Sequence, residues 1–312
     1  MLWIIIVSVI GSLLFIALCG IFIIMIEIYK KVFYSPIKGQ NDEFLAVKNL
    51  NYQDQATLNK ATTKVNEILK TPYEDLVTKS YDGLKLHAYF YKSEGSKDYI
   101  IFFHGYRRTA RRSFSGLTMD SLKENENVIV VDMRAHGQSK GHTITFGKKE
   151  QRDVVTWIKY AKKNFGEDIK ITIVGVSLGA SVVLMAADKI DEDIKIIADS
   201  PYMSTKDVFI DTMSKYRRDP TVFYPLSNLT STVFCHCTLN FGAASSIDKS
   251  KNKILIIYGT ADVDIVRLPI EEVYERNKDH VQIETFEGVD HGLSYLRDTE
   301  RYRKIFFDFI NE

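Results

Sequence analysis

Cysteine is scarce in this chain: Cys19, Cys235 and Cys237 are the only ones in 312 residues. Three thiols cannot build a disulfide framework, and one lies in an apolar tract, so the composition points to a reducing compartment. Neither sign of charge is in excess, since 41 basic residues face 40 acidic ones for a net charge of +1. That balance gives no electrostatic footprint for nucleic acid. Gly-Lys-Ser and Gly-Lys-Thr occur nowhere, which excludes a P-loop. Cys235-His236-Cys237 has no second cysteine pair to complete a structural zinc site. The residues therefore imply neither a metal nor a cofactor, and the two cysteines are read as packing.

Charge is also missing from Met1 to Ile26, MLWIIIVSVIGSLLFIALCGIFIIMI. As a helix this run is long enough to cross a bilayer core of about 30 Å. A cleaved signal peptide would show a basic start, a shorter apolar stretch and an A-x-A-like end, none of which is present. A lipoprotein signal at Cys19 would want a small residue where Leu18 stands. Residues 1–26 therefore read as an uncleaved single-pass membrane anchor. Lys30, Lys31 and Lys38 follow the run while only the α-amino group precedes it, which predicts a cytoplasmic C-terminal domain. Glu27, Asp42 and Glu43 carry little weight in that rule. Residues 27–75 are polar, with helical patterning near Leu58 to Leu69 closed by Pro72, and read as a stalk and first helix.

From Leu76 the punctuation becomes regular. Leu76 to Ser80 and Leu84 to Tyr91 flank Tyr81-Asp82-Gly83 as a β-hairpin. Strands are predicted at Tyr99 to Phe103, Val128 to Val131, Ile169 to Val174, Ile194 to Ala198, Ile254 to Tyr258 and Val281 to Phe286. Helices are predicted at Arg111 to Lys123, Lys148 to Lys163, Leu178 to Lys189, Pro269 to Asn277 and Arg297 to Ile310. Such alternation implies an α/β fold with a mostly parallel twisted sheet covered on both faces. Residues 202–250 break the rhythm, with one helix near Ser204 to Tyr216 followed by Phe223, Tyr224, Phe234 and Phe241. An excursion from the carboxyl end of a strand sits above the sheet, where ligands bind, so this stretch is expected to form a small lid.

At the centre of IKITIVGVSLGASVVLMAADK stands GVSLG, residues 175–179. Ile169, Ile171 and Ile173 alternate with Lys170 and Thr172, as in a strand entering a core; the residues after Leu178 favour helix. Ser177 therefore occupies a tight strand-to-helix turn, whose crossing demands small residues two before and two after it: Gly175 and Gly179. A dinucleotide loop would need glycine where Ser177 stands. A serine at such a turn is a candidate nucleophile, which requires a base and an acid to orient that base. Among seven histidines, His291 in GVDHGL is favoured, with His104 second. Asp262 in GTADVD is favoured as the acid by its loop position, with Asp264 and Asp199 as alternatives. Asp290 adjoins His291 and is poorly placed to reach the far ring nitrogen.

FFHGY at 102–106, DMRAHGQS at 132–139, GVSLG at 175–179, GTAD at 259–262 and DHG at 290–292 together resemble an α/β-hydrolase, over about Leu76 to the C-terminus. The order Ser, Asp, His is the order of that superfamily. More narrowly, the chain is similar to membrane-anchored bacterial hydrolases of the serine aminopeptidase-like group. The resemblance implies an α/β-hydrolase domain at 76–312 and a triad of Ser177, His291 and Asp262. It also implies an oxyanion hole formed by the backbone N–H groups of Tyr106 and Leu178. Ala135 departs from the pattern, standing where relatives commonly carry glycine.

The activity implied is cleavage of a carboxylic ester, thioester or amide through an acyl-enzyme, on a small-molecule, lipid or peptide substrate. A noncatalytic membrane-anchored scaffold on a hydrolase fold and an acyltransferase are the alternatives. YRRTARRSF, after the expected oxyanion loop, adds Arg111 and Arg112 as candidates for an anionic substrate group or acidic lipid heads, against a plain solvated helix start.

Overall fold

The computed structural model describes residues 1–35, 55–264 and 268–312. Lys38, Asp42 and Glu43, weighed above for orientation, lie outside the described residues. Helix α1 (Leu2–Ile28) runs into a π-helical turn, Tyr29–Phe33, and α2 (Gln55–Lys70) follows in the described chain. The predicted hairpin is β1 (Glu74–Lys79) and β2 (Lys85–Tyr91), turned at Gly83 with φ +82°. Next come β3 (Asp98–Phe103), α3 (Ser115–Lys123), β4 (Asn127–Asp132), α4 (Glu150–Phe165), β5 (Lys170–Val176), α5 (Leu178–Met185) and β6 (Lys195–Asp199). The stretch expected to form a lid holds α6 (Thr205–Lys215), α7 (Pro220–Thr230) and a π-helical turn, Ser231–Cys235. The last elements are β7 (Ile254–Gly259), α8 (Leu268–Arg276), β8 (Val281–Phe286) and α9 (Thr299–Asn311).

The strands form one sheet in the order β1-β2-β4-β3-β5-β6-β7-β8. β2 is antiparallel to both its neighbours, and every pairing from β4 to β8 is parallel. A parallel sheet must be covered on both faces, and β3 shows how the side chains are shared out. Ile101 and Phe103 enter the layer built with Trp157 of α4 and Val182 of α5. Ile100 and Phe102 enter the opposite layer, with Leu117 of α3 and Tyr302 and Phe306 of α9.

Three departures from the sequence expectation have local causes. The helix expected from Arg111 to Lys123 breaks at Phe114, whose ring stacks on Phe102 at 4.5 Å between centroids. The lid contains a second helix, α7, capped by Asp219 through the N–H of Thr221 at 2.9 Å. Pro225 inside α7 hides it from propensity reasoning. The described parts of residues 27–75 also belong to the folded domain instead of forming a stalk. Ile68 of α2 is wholly buried against the sheet layer of Phe114 and Leu117. Phe33 is wholly buried in one cluster with Phe209, Cys235, Cys237 and Leu239. Tyr34 pairs with Thr143, and the Ser35 N–H donates to the His142 carbonyl at 2.8 Å.

α1 has Met25 as its only buried residue and otherwise exposes Leu, Ile, Val and Phe side chains. By length and composition it is a candidate membrane span.

Candidate active site

The parallel strands β5, β7 and β8 end on the same edge of the sheet, and each passes into a short loop. The β5 loop is the tightest. A methyl group on Gly175 would overlap the backbone of Gly179, and one on Gly179 would overlap the carbonyl of Phe103. Between these glycines Ser177 takes φ +57° and ψ −120°, a conformation a non-glycine residue holds only under constraint. Its N–H is tied to the Asp199 carbonyl at 2.8 Å. The side chain is left projecting from the turn towards the β8 loop.

There His291 Nε2 lies 2.8 Å from Ser177 Oγ, and His291 Nδ1 lies 2.8 Å from Asp262 Oδ2. The Asp262 carboxylate is fully buried and also accepts the Asp264 N–H at 2.9 Å. A carboxylate only accepts, so Nδ1 carries the proton and Nε2 offers its lone pair to the serine hydroxyl. Burial works to lower the pKa of His291, but the hydrogen bond and charge of Asp262 outweigh it and leave the pKa above its ordinary value.

The other acids weighed from the sequence have different employment. Asp264 is exposed and faces Lys215 at 3.6 Å. Asp290 accepts the backbone N–H of His291 at 2.7 Å. Asp199 is buried and hydrogen-bonded by Ser200 and Tyr302, and burial pushes its carboxyl up to about 6.

Gly105 brings the β3 loop against the serine: a methyl there would sit 3.3 Å from Ser177 Cβ. Tyr106 follows directly, and Leu178 opens α5. Neither of their N–H groups donates to another backbone group among the described residues. Two buried histidines frame this loop. His104 Nε2 accepts the Met133 N–H at 3.2 Å while Nδ1 donates to the Gly105 carbonyl at 2.8 Å, so the second candidate base shapes the turn instead. His136 Nε2 accepts the N–H of Arg107 at 3.1 Å. Burial drives His104 down to about 3 and lowers His136 too, so both are neutral acceptors.

His136 escaped the sequence reading, although it stands in the DMRAHGQS motif, because nothing in the motif says which backbone it serves. Val32 and Tyr34 escaped as well. The Tyr106 phenol donates to the Val32 carbonyl and the Arg107 guanidinium to the Tyr34 carbonyl, each at 2.7 Å.

Arg111, weighed above between an anion site and a plain solvated helix start, is engaged within the fold. Its guanidinium donates to the Tyr91 hydroxyl at 2.9 Å and the Ile68 carbonyl at 2.5 Å, and lies over the Tyr73 ring. Tyr91 pairs with Val128 at the start of β4, at the opposite end of the sheet from Ser177. Arg111 therefore clamps α2 to the hairpin. Arg112 is half-buried and engaged within the fold. Cys235 and Cys237 are buried in the lid, where burial pushes the Cys235 thiol up to about 12.

Residues 94–234 match the model of the family described as serine aminopeptidase, S33. A Bacillus subtilis (strain 168) relative, the uncharacterized protein YqkD, is 24% identical over 233 residues, covering 73% of this chain and 76% of its own. The Pyrococcus furiosus esterase Pf2001 superposes with a TM-score of 0.65 at 25% identity, covering 78% of this chain and 92% of its own. The Exiguobacterium antarcticum esterase EaEST gives 0.58 at 17% identity, covering 77% of this chain and 100% of its own. That last likeness speaks for the fold alone.

Proposed function

This chain belongs to the α/β-hydrolase superfamily, and within it we propose a serine hydrolase that cleaves a carboxylic ester, thioester or amide through an acyl-enzyme. The observation that carries the reading is the unbroken hydrogen-bonded run from Ser177 Oγ through His291 to the buried Asp262. A serine alcohol is a weak nucleophile until a base removes its proton, and His291 Nε2 is within reach to do so. As Ser177 Oγ bonds to the acyl carbon, its proton passes to Nε2, and the imidazolium is held by Asp262. The carbonyl π electrons move onto oxygen, opposite the N–H groups of Tyr106 and Leu178. Such donors matter because the charge exists only after attack; removing one costs about 3–4 kcal/mol of barrier in comparable sites.

The tetrahedral species then expels its alcohol, thiol or amine, which takes the proton from Nε2. Water repeats the sequence on the acyl-enzyme, giving up a proton to Nε2 and releasing the acid and free Ser177. In this reading α1 is a single-pass membrane anchor and the catalytic domain lies on the cytoplasmic side. The lysines following the span support that side.

Labelling with a fluorophosphonate tests the chemistry. Wild type should label and Ser177→Ala should not. A folded wild type that resists the probe removes the nucleophile from the account.

A further inference from the structure

Helix α7 turns its apolar side outward. Val222, Pro225 and Leu229, with Val233 in the π-helical turn beyond, recur at intervals of three, four and four residues and so share one face. Val222 is 57% exposed, Leu229 45% and Val233 44%. On the inner side Ser227, Thr230, Ser231 and Cys235 are the buried residues. A surface helix facing water has the reverse arrangement.

The neighbour of this stripe is α1. The two helices pack together, with the ring of Phe234 5.9 Å from that of Phe22 and 5.2 Å from that of Tyr29. Phe22 precedes Ile26, the end of the uncharged run, by four residues. At 1.5 Å per residue this is about 6 Å inside the apolar span. Phe234 and the C-terminal end of the stripe therefore stand at the depth of hydrocarbon whenever α1 spans a bilayer. Exposed cations lie beside both helices: Lys30 and Lys31 after α1, Arg217 and Arg218 before α7. An apolar face flanked by cations is the pattern of a helix lying in a membrane interface.

Beneath, the lid is seated on the candidate site. Phe209 of α6 meets Phe146 at 4.9 Å, and Phe146 stacks on Tyr106 at 5.4 Å. At the other end of α6 Lys215 reaches the Val263 carbonyl, next to Asp262.

We propose that α7 and the turn after it are embedded in the bilayer surface beside α1, and that the site below takes its acyl group from a membrane lipid. The substrate class is a long-chain carboxylic ester whose chain stays among lipid tails until it enters under the lid. The substrate half of this statement rests on the serine hydrolase reading; the embedded lid does not.

The full chain in phosphatidylcholine vesicles separates the two. Trp3 and Trp157 are the native tryptophans, and Trp157 is wholly buried. In a Trp3→Phe background, tryptophan at Leu229→Trp should be quenched by chain-brominated phosphatidylcholine at least twofold more than at Glu94→Trp. Glu94 is exposed in the turn before β3, at the far end of the sheet. Equal quenching at the two positions overturns the embedded lid and leaves a protein partner or a second copy to cover the stripe. For the substrate, Leu229→Glu/Val233→Glu should lower the ratio of p-nitrophenyl palmitate to p-nitrophenyl acetate hydrolysis at least tenfold. An unchanged ratio overturns the lipid source. Wild type that labels with no fluorophosphonate and cleaves neither ester sinks the hydrolase reading, while the quenching result still decides where the lid lies.

Discussion

The phenol of Tyr106 donates a 2.7 Å hydrogen bond to the carbonyl of Val32, joining the loop beside Ser177 to the turn that ends the N-terminal helix. A residue of the loop beside Ser177 is thereby held from its side chain by the segment leaving α1. Arg107, next in the chain and strained at φ +51°, repeats the connection to Tyr34.

Tyr106→Phe should therefore lower kcat severalfold with little change in KM. The loss of one hydrogen bond leaves the Val32 carbonyl unpaired, a cost of about 1–3 kcal/mol that falls on loop order as well as on stability. Steady-state kinetics on a soluble ester checks the split. A pure rise in KM would mean that the phenol serves substrate binding instead.

Asp262→Asn and Asp264→Asn should differ widely. An amide at 262 cannot hold the same imidazole tautomer, and in comparable triads such a change costs about four orders of magnitude in kcat. Asp264 is exposed and paired only loosely with Lys215, so its amide should stay within about threefold, by the small worth of surface pairs. Larger damage from Asp264→Asn would reassign the acid.

The acidic limb of kcat/KM should lie above the ordinary histidine value of about 6.5. His291 must be neutral to accept the serine proton, and Asp262 raises its pKa despite burial. Activity is then lost as pH falls through that raised value. Asp262→Asn should move the limb to lower pH, because the group that stabilises the imidazolium has gone. A pH–rate profile of both proteins checks the direction.

Ala135→Gly should stabilise the protein. Ala135 has φ +65° and is wholly buried. An L-residue in the left-handed region costs about 1–2 kcal/mol, partly offset by the greater freedom of glycine when unfolded. A rise of about 2–4 °C in Tm per kcal/mol gained is the expected scale for a domain of this size.

Glu126 supplies a test of stability against pH. Burial, helped by Asp98, pushes its carboxyl up to about 7, and its Oε2 is buried without a hydrogen-bond partner. A folded pKa above the unfolded one means stability falls as pH rises from the unfolded value through about 7. Glu126→Gln should therefore raise Tm at pH 8 and change it little at pH 4, in paired thermal melts.

Much of the site was legible from short-range chemistry. A strand-to-helix crossing at Ser177 leaves no room for side chains at Gly175 and Gly179, so the turn announces itself in five residues. Ala135 was visible as a departure from a family pattern, and its positive φ is what the glycine of that pattern suits. Arg111 could not be decided along the chain, because a cluster of arginines near a site looks the same whether the guanidinium meets a ligand or a tyrosine hydroxyl.

The sequence by itself determined the alternation of strands and helices, the apolar N-terminal run and the residue types able to do acyl chemistry. These follow from backbone propensity and periodicity, which act over a few residues. Only the tertiary structure decided that Asp262 meets His291, that His136 holds the Arg107 backbone, and that Val32 holds Tyr106. Each of these joins groups tens of residues apart. Their pairing is set by where the sheet and its loops leave a donor facing an acceptor, a relationship with no local signature along the chain.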